Sequence, residues 1–333
     1  MEKCSSLCSY CPFARISNYP KLSTAMMIIG GLYLTKQAFS LLNWCAKYLI
    51  PFPNNLKKKY GDGWVIITGG SEGIGRSLAE QMIQQQFKVL LIARDQSKLE
   101  SAVCDLKAKY PEAQVKTLSY DFNVDYNDSN MEELQQRIVE ITGNDISILF
   151  NNVGVMARGN LIDLSNKTIN DMININLVSV TFFTKIIGTI IADRNQKTLI
   201  VVSGSIAGRF RMQGRTIYAS TKAYLEAFLE CLQREYPKKI DCTYLEIGPV
   251  QTKMTAKFNL MSLVPSDSFA KSAVKYIGKY PFTTGHLSHE LLTVMYWNVP
   301  FMKSYINKVF CPNEDKKEQL IENDNKNEEP QNN

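Results

Sequence analysis

Six segments of this chain read as short strands separated by helix-length stretches, and most are apolar at consecutive positions. They are WVIITGG from Trp64, KVLLIAR from Lys88, QVKTLSYDF from Gln114, ISILFNN from Ile146, TLIVVSGS from Thr198 and DCTYLEIGP from Asp241. A strand that is apolar on both faces is covered on both faces. The segments between them carry helical patterning: IGRSLAEQMIQQQ after the first strand, about Gln96 to Lys109 after the second, and MEELQQRIVEIT after the third. Strand–helix alternation of this kind predicts an α/β fold with a doubly wound parallel sheet. With 333 residues, 45% hydrophobic and 21% charged, the chain suits one large domain with extensions. Disordered, collagen-like and polytopic membrane classes are excluded by the same figures.

Charge and apolarity divide the chain into three parts. Residues 1–60 carry eight basic residues and one acid, 61–312 are close to balanced, and 313–333 carry three basic residues and seven acids. The basic excess sits at the N-terminus, so a nucleic-acid-binding face on the body is not expected. Residues 22–50 are strongly apolar, but Lys36 and Lys47 keep any uninterrupted run below the roughly 18 residues of a clear spanning helix. A cleaved signal peptide fits poorly, because the apolar part lies far in and lacks a small-x-small site. The segment is read as a membrane anchor, spanning or interfacial, with the lysines snorkelling. Lys57, Lys58 and Lys59 behind it favour a cytosolic body. A second apolar stretch, residues 291–310, is broken by Pro300. It is expected either to lie on a bilayer or to cover the sheet or a dimer surface. The tail from Asn313 has almost no apolar content and is expected to be disordered.

Eight scattered cysteines do not make a disulfide framework. Cys4, Cys8 and Cys11 lack a fourth ligand for zinc, and palmitoylation beside an apolar segment is the stronger special reading. The leading reading is an ordinary N-terminus. No metal site is expected: the two histidines, His286 and His289, form H-x-x-H without a third ligand and suit a loop and helix start better.

The first strand runs directly into Thr68-Gly69-Gly70-Ser71-Glu72-Gly73-Ile74-Gly75 and a helix. A dinucleotide pyrophosphate needs backbone N–H groups at a helix N-terminus with no side chains in the way. Gly69 would allow the turn, Gly73 the close approach and Gly75 the helix–strand packing. The second strand ends in Arg94 rather than in an acid that could hold the ribose hydroxyls of NAD. A guanidinium there suits a 2′-phosphate, with Lys98 assisting, and points to NADP(H). Asp95 is expected to cap the next helix. Tyr218 and Lys222 fall at i and i+4 on one helical face, an arrangement in which an ammonium lowers a phenol's pKa for proton exchange with a carbonyl or alcohol. Ser205, thirteen residues earlier and just beyond a strand, is delivered to the same crevice as the glycine turn. A serine hydrolase reading of Ser205 fails, since its flanks do not give G-x-S-x-G and no histidine lies nearby.

With TGGSEGIG, NNVG (Asn151 to Gly154), the Asn176 of MININ, Ser205, YASTK and G-P-V-x-T (Gly248 to Thr252) in family order, residues 62–285 resemble the short-chain dehydrogenase/reductase family. The resemblance implies a Rossmann-type catalytic domain, taken as residues 61–312. It implies Tyr218 as proton donor, Ser205 orienting the carbonyl, Lys222 lowering the Tyr218 pKa and holding the nicotinamide ribose, and Asn176 positioning a relay water. The cofactor would be held by Gly69, Ser71, Gly73, Ile74, Gly75, Arg94, Asp121, Asn151, Asn152, Pro249, Val250 and Thr252, together with Tyr218 and Lys222. Within the family, LFNNVGVMARG, MININLVSVT, IYASTK and the apolar lead are similar to the membrane-bound branch of very-long-chain 3-oxoacyl-CoA reductases and 17-beta-hydroxysteroid dehydrogenases. That branch implies an endoplasmic reticulum membrane enzyme facing the cytosol, reducing a ketone on a long acyl-CoA or a steroid, and compatible with a homodimer. A 3-ketodihydrosphingosine-type reductase is the alternative substrate reading. A non-catalytic nucleotide-binding scaffold is the alternative class, and it would tolerate loss of Tyr218 or Ser205, neither of which is lost.

Overall fold

The computed structural model describes residues 20–49, 53–256 and 263–310. Cys4, Cys8, Cys11 and the acidic tail lie outside them. The chain divides into two compact units, split between Pro53 and Asn54. Among the described residues, the first unit is one helix, α1 (Pro20–Leu49), without a break at Lys36. Leu22, Met26, Met27, Ile28, Ile29, Leu32, Tyr33, Leu34, Phe39 and Leu42 are exposed along it, on every side of the helix. The stretch Pro20–Tyr48 is long and apolar enough to cross a bilayer.

The second unit begins with α2 (Leu56–Tyr60), whose Leu56 and Tyr60 are fully buried in the body. There follow β1 (Trp64–Thr68), α3 (Gly73–Gln84), β2 (Lys88–Ala93), α4 (Gln96–Lys109), β3 (Val115–Ser119), α5 (Asp128–Thr142) and β4 (Ile146–Asn151). Next come α6 (Asn166–Ile173), a π-helical turn over Asn174–Val178, α7 (Ser179–Ile190), β5 (Thr198–Ser203), α8 (Ile206–Phe210), α9 (Thr216–Glu235) and β6 (Ile240–Leu245). Short strands β7 (Val250–Gln251) and β8 (Val264–Pro265), α10 (Ser266–Ala273), β9 (Phe282–Thr283), α11 (Leu287–Asn298) and α12 (Pro300–Phe310) complete it.

The main sheet has seven strands in the order β3-β2-β1-β4-β5-β6-β9, every neighbouring pair parallel. Alternate residues feed opposite faces. Val65, Ile67, Val89 and Leu91 pack with Leu78 and Met82 of α3 and Phe269 of α10. Ile66, Leu90, Ile92 and Leu149 pack with Leu134 and Ile138 of α5, Phe183 and Ile187 of α7, and Leu225 and Leu229 of α9. Helices on both faces explain why β1, β4 and β5 are buried at every position. The sheet is therefore doubly wound, as its apolar strands require. The order reverses at β1, with β2 on one side and β4 on the other, and ligand crevices in such sheets open beyond the strand ends at that switch.

A third cluster stands apart from the sheet. Met172, Ile206, Phe210, Met212, Tyr218, Tyr296, Met302 and Ile306 pack together. The Tyr296 ring stacks on Phe210, and its hydroxyl donates to the Phe210 carbonyl at 2.9 Å. The 291–310 stretch is thus two helices: α11 stops at Asn298, and Pro300 takes the first position of α12, where its missing N–H is not needed. One face of the pair covers this third cluster, and the other exposes Leu291, Val294, Met295, Trp297, Phe301 and Tyr305.

Candidate active site

The glycine turn follows β1 as its sequence requires. Gly69 has φ +66, a conformation that side-chain-bearing residues rarely adopt. A Cβ on Gly75 would land on the Gly69 carbonyl and on the Asn152 amide, so the first turn of α3 lies directly against the strand end. Ser71 and Glu72 form the turn, and the Glu72 side chain makes no cap hydrogen bond to α3. The first N–H groups of a helix have no intrahelical partner. An uncapped N-terminus behind a side-chain-free cradle fits a pyrophosphate.

Asn152 joins three strand ends. Its N–H donates to Thr68 Oγ1 at 2.9 Å, its Nδ2 to the Thr68 carbonyl at 3.1 Å, and its Oδ1 accepts from Ser203 Oγ at 3.0 Å. Asn151 is turned the other way, its Nδ2 donating to Thr184 Oγ1 of α7 at 2.9 Å. Arg94 is exposed at the end of β2, and Asp95 caps α4 by accepting from the Lys98 N–H at 3.1 Å. That bond and the Ser97 hydroxyl hold the Asp95 carboxyl below its ordinary range, Ser97 contributing most. Asp121, just past β3, accepts from the Asn123 N–H at 3.0 Å.

The crevice beyond β4 and β5 is lined by Ile74, Asn152, Ser205, Tyr218, Lys222, Pro249, Val250 and Thr252, so eight of the expected site residues meet there. Ser205 caps α8, its Oγ accepting from the Ala207 N–H at 3.2 Å. Burial raises the Tyr218 pKa above the ordinary phenol value, and a hydrogen bond with Ser205 and the charge of Arg215 pull it back. Lys222 is 4% exposed, donates to the Ser203 carbonyl at 2.8 Å and is pushed down to about 8 by burial. Its Nζ lies 5.7 Å from the Tyr218 ring centre. Lys222 Nζ thus stands near the Tyr218 ring while donating to the Ser203 carbonyl, and Ser205 and Arg215 counter the burial of the phenol.

Asn176 is fully buried in the π-helical turn, an insertion that recurs at functional sites. Its Oδ1 accepts from the Val155 N–H at 2.8 Å and its Nδ2 donates to the Val155 carbonyl at 2.8 Å. It braces the loop beside Gly154, where a Cβ would stand 3.5 Å from Lys222 Nζ.

Three residues to which the sequence reading assigns no part in the site complete it. The Tyr244 hydroxyl donates to the Lys222 carbonyl at 3.0 Å and accepts from the Ser205 N–H at 3.3 Å, tying the two motifs together. His289 is buried; its Nδ1 accepts from the Gly248 N–H at 3.2 Å and its Nε2 faces the Pro249 carbonyl at 3.3 Å. Burial pushes it down to about 4, so it is neutral. His286 caps α11, accepting from the Ser288 N–H at 3.2 Å, as the helix-start reading of H-x-x-H expected. Arg215, ahead of α9, lines the crevice and is 7% exposed. Only the crowding of arginines before YASTK could have hinted at it.

Comparison with known proteins agrees with this geometry. Very-long-chain 3-oxoacyl-CoA reductase of Mus musculus is 33% identical over 239 residues, covering 69% of this chain and 73% of the relative. A Caenorhabditis elegans protein provisionally named steroid dehydrogenase 1 is 32% identical over 262 residues, covering 75% and 80%. In fold, the chain is similar to a short-chain dehydrogenase from Sphingobium yanoikuyae solved with NADPH, at TM-score 0.61 and 22% identity, covering 70% of this chain and 92% of that one. The short chain dehydrogenase model matches residues 63–262, spanning the glycine turn, Ser205, Tyr218 and Lys222, and the chain belongs to that family of nicotinamide-dependent oxidoreductases.

Proposed function

We propose that this chain is an NADPH-dependent reductase of a ketone on a large apolar lipid, first of all a long-chain 3-oxoacyl-CoA. The observation that carries the reading is the crevice itself: Tyr218, Ser205 and Lys222 stand among Ile74, Met156, Ile206, Met212, Ile247 and Met254. Bound NADPH would supply hydride to the carbonyl carbon. Tyr218 gives its phenolic proton to the carbonyl oxygen as the hydride arrives, and Ser205 donates a hydrogen bond to the same oxygen. The hydroxyl product forms as the phenolate develops, with the charge of Arg215 acting on it and the Lys222 ammonium beside the ring. Lys222 holds the end of β5 through Ser203 and presents its ammonium toward the nicotinamide ribose. Asn176 keeps the Gly154–Val155 loop in place. Arg94 takes the 2′-phosphate, with Lys98 beside it. The remaining glycine-turn residues, Asp121, Asn151, Asn152, Pro249, Val250 and Thr252, serve the rest of the cofactor.

The names of the two relatives support a lipid or steroid carbonyl as substrate. The apolar α1 and the outward face of α11 and α12 support a membrane-bound enzyme, read as residing in the endoplasmic reticulum membrane with the body in the cytosol. The test is a panel of 3-oxoacyl-CoAs, keto-steroids and 3-ketodihydrosphingosine with NADPH and product identification. Long-chain 3-oxoacyl-CoA should be turned over fastest. Tyr218→Phe should lower turnover by about 10³-fold or more while NADPH still binds. Turnover surviving in Tyr218→Phe rejects the mechanism.

A further inference from the structure

Glu246, the residue after β6, is a carboxylate buried beneath the active site. Its Oε2 accepts from Arg209 Nη1 at 3.4 Å, while its equally buried Oε1 has no hydrogen-bond partner. Burying a carboxylate is costly unless it is paired and hydrogen-bonded, so a half-satisfied one calls for a physical reason. Neither Glu246 nor Arg209 lines the crevice. Their setting points to Ser205 instead. The Gly204 N–H donates to the Leu245 carbonyl at 2.9 Å, and the Ile206 N–H to the Ile247 carbonyl at 3.0 Å. The residues on either side of Ser205 are thus bound to the residues on either side of Glu246. Arg209 then returns to Glu246 from α8, the helix that Ser205 caps. A second path runs through rings. The Arg209 guanidinium lies 4.8 Å from the Phe282 ring centre, Phe282 stacks on Tyr244 at 5.7 Å, and the Tyr244 hydroxyl accepts from the Ser205 N–H at 3.3 Å.

The charges acting on Glu246 come from three helices. Arg209 of α8 favours the carboxylate, whereas Glu226 of α9 and Glu290 of α11 oppose it. The neighbouring Tyr244 phenol is raised by burial and stays neutral. From β9 the contact is backbone: the Glu246 N–H donates to the Thr283 carbonyl at 2.8 Å. Burial outweighs the pull of Arg209 and pushes the Glu246 carboxyl up to about 7. We propose that Glu246 and Arg209 are positioning residues for the reduction: their ion pair pins α8, and with it Ser205, where the serine hydroxyl meets the substrate oxygen, so that protonation of Glu246 loosens Ser205 and slows the chemical step. Neither residue touches the substrate, and the proton on Glu246 comes from water. The inference rests on Ser205 donating to the substrate oxygen.

The test uses the full-length chain in detergent, with Glu246→Gln, Arg209→Met and Arg209→Lys. With saturating NADPH, kcat and KM are measured from pH 5.5 to 8.5 on the ketone that the wild type reduces fastest. The ratio of wild-type to Glu246→Gln kcat should rise from near 1 at the acid end to about 10 at the alkaline end, the scale of a slightly displaced catalytic group. The rise should centre near pH 7 and leave the KM for NADPH unchanged. Arg209→Met should hold the low kcat at every pH, and Arg209→Lys should recover part of it. The double variant should lose no more than either single one. A ratio that ignores pH, or a loss confined to melting temperature, overturns the proposal and leaves the reductase reading intact. If the wild type reduces no ketone, the reductase reading fails instead, and the amide resonance of Ser205 in 15N-serine-labelled protein decides. A shift through pH 7 that is present in the wild type and missing in Glu246→Gln and Arg209→Met upholds the coupling. A resonance that ignores pH, or titrates alike in all three, overturns it. Should Glu246→Gln not fold, the variants of the partly exposed Arg209 carry the same comparison.

Discussion

The glycine turn after β1 and the cluster roofed by α11 and α12 both serve one crevice, yet they are held by different means. In the turn, backbone meets backbone: Gly75 sits on the Gly69 carbonyl, and Asn152 fills the remaining donors and acceptors of Thr68. In the roof, side chains meet side chains: methionines, stacked aromatic rings and isoleucine tips surround Tyr218. Backbone contact admits almost no substitution, whereas a methionine-rich cluster adapts its shape cheaply. Cofactor binding is therefore set by a few positions that any chain of this fold must keep. The roofed end of the crevice is set by this chain's own choice of side chains.

The sharpest challenge to this contrast is Gly75→Ala. The new methyl group meets a carbonyl and an amide that have nowhere to go, so stability should fall by on the order of 3 kcal/mol and NADPH binding should be lost. Urea melts and cofactor fluorescence titration report both effects, and a near-normal Gly75→Ala protein would remove the steric account of the turn.

Next in size is the pH dependence contributed by Lys222. Its folded-state pKa of about 8 lies below the ordinary 10.5, so the buried ammonium penalises the fold below pH 8, and the penalty fades as pH rises toward 10.5. Relative to Lys222→Met, the wild type should gain roughly 3 kcal/mol across that window, at about 1.4 kcal/mol per pKa unit. Thermal melts of the pair from pH 7.5 to 10.5 measure the gain; a constant gap would mean the lysine is not desolvated.

His289 acts with the same sign in a more acidic window. With a pKa lowered to about 4 from 6.5, it costs nothing above pH 6.5, and the fold loses stability as pH falls from 6.5 through 4. His289→Gln should flatten that part of the acid-stability curve by up to roughly 3 kcal/mol, less whatever other buried groups contribute. It should also raise KM values by loosening Gly248 and Pro249. The smallest effect is expected at Arg94, a side chain in the open. Arg94→Ala should weaken NADPH by about 1.5–3 kcal/mol more than NADH, read by paired titrations. Equal weakening would make Arg94 a structural residue and leave cofactor choice to other groups.

The same contrast explains what could be read from residues alone. The helix at Gln96–Lys109 and the β1 and β4 strands follow from local pattern, because each is apolar at consecutive positions or capped by its own Asp95. Tyr218, Lys222 and Ser205 are legible because helix spacing and strand ends carry them to one place. Tyr244, His289 and Arg215 are not, since their partners come from segments remote in sequence or, for Arg215, from the shape of the crevice. The ammonium of Lys222 shows the limit of spacing arguments. The i and i+4 relation places it near Tyr218, but the carbonyl of Ser203, nineteen residues away, decides what it bonds. The lead segment shows another: Lys36 breaks the apolar run on paper, yet one lysine does not interrupt a helix, and α1 continues through it.

Asn54, the first residue of the body, donates two hydrogen bonds of 2.9 Å, to the carbonyls of Val274 and Ile277, 220 and 223 residues further on. The Tyr60 hydroxyl likewise reaches Asp241 at 2.9 Å. During synthesis at about 5–20 residues per second, these groups wait roughly 10 to 40 s for their partners to leave the ribosome. β1 waits a shorter time, roughly 4 to 16 s, for β4 to close its second edge. The nascent body thus spends most of its synthesis with an open sheet edge and an unsealed base, and its cooperative closure belongs to the last residues made. Any stop before about Gly278 would leave Asn54 without the carbonyls that hold it.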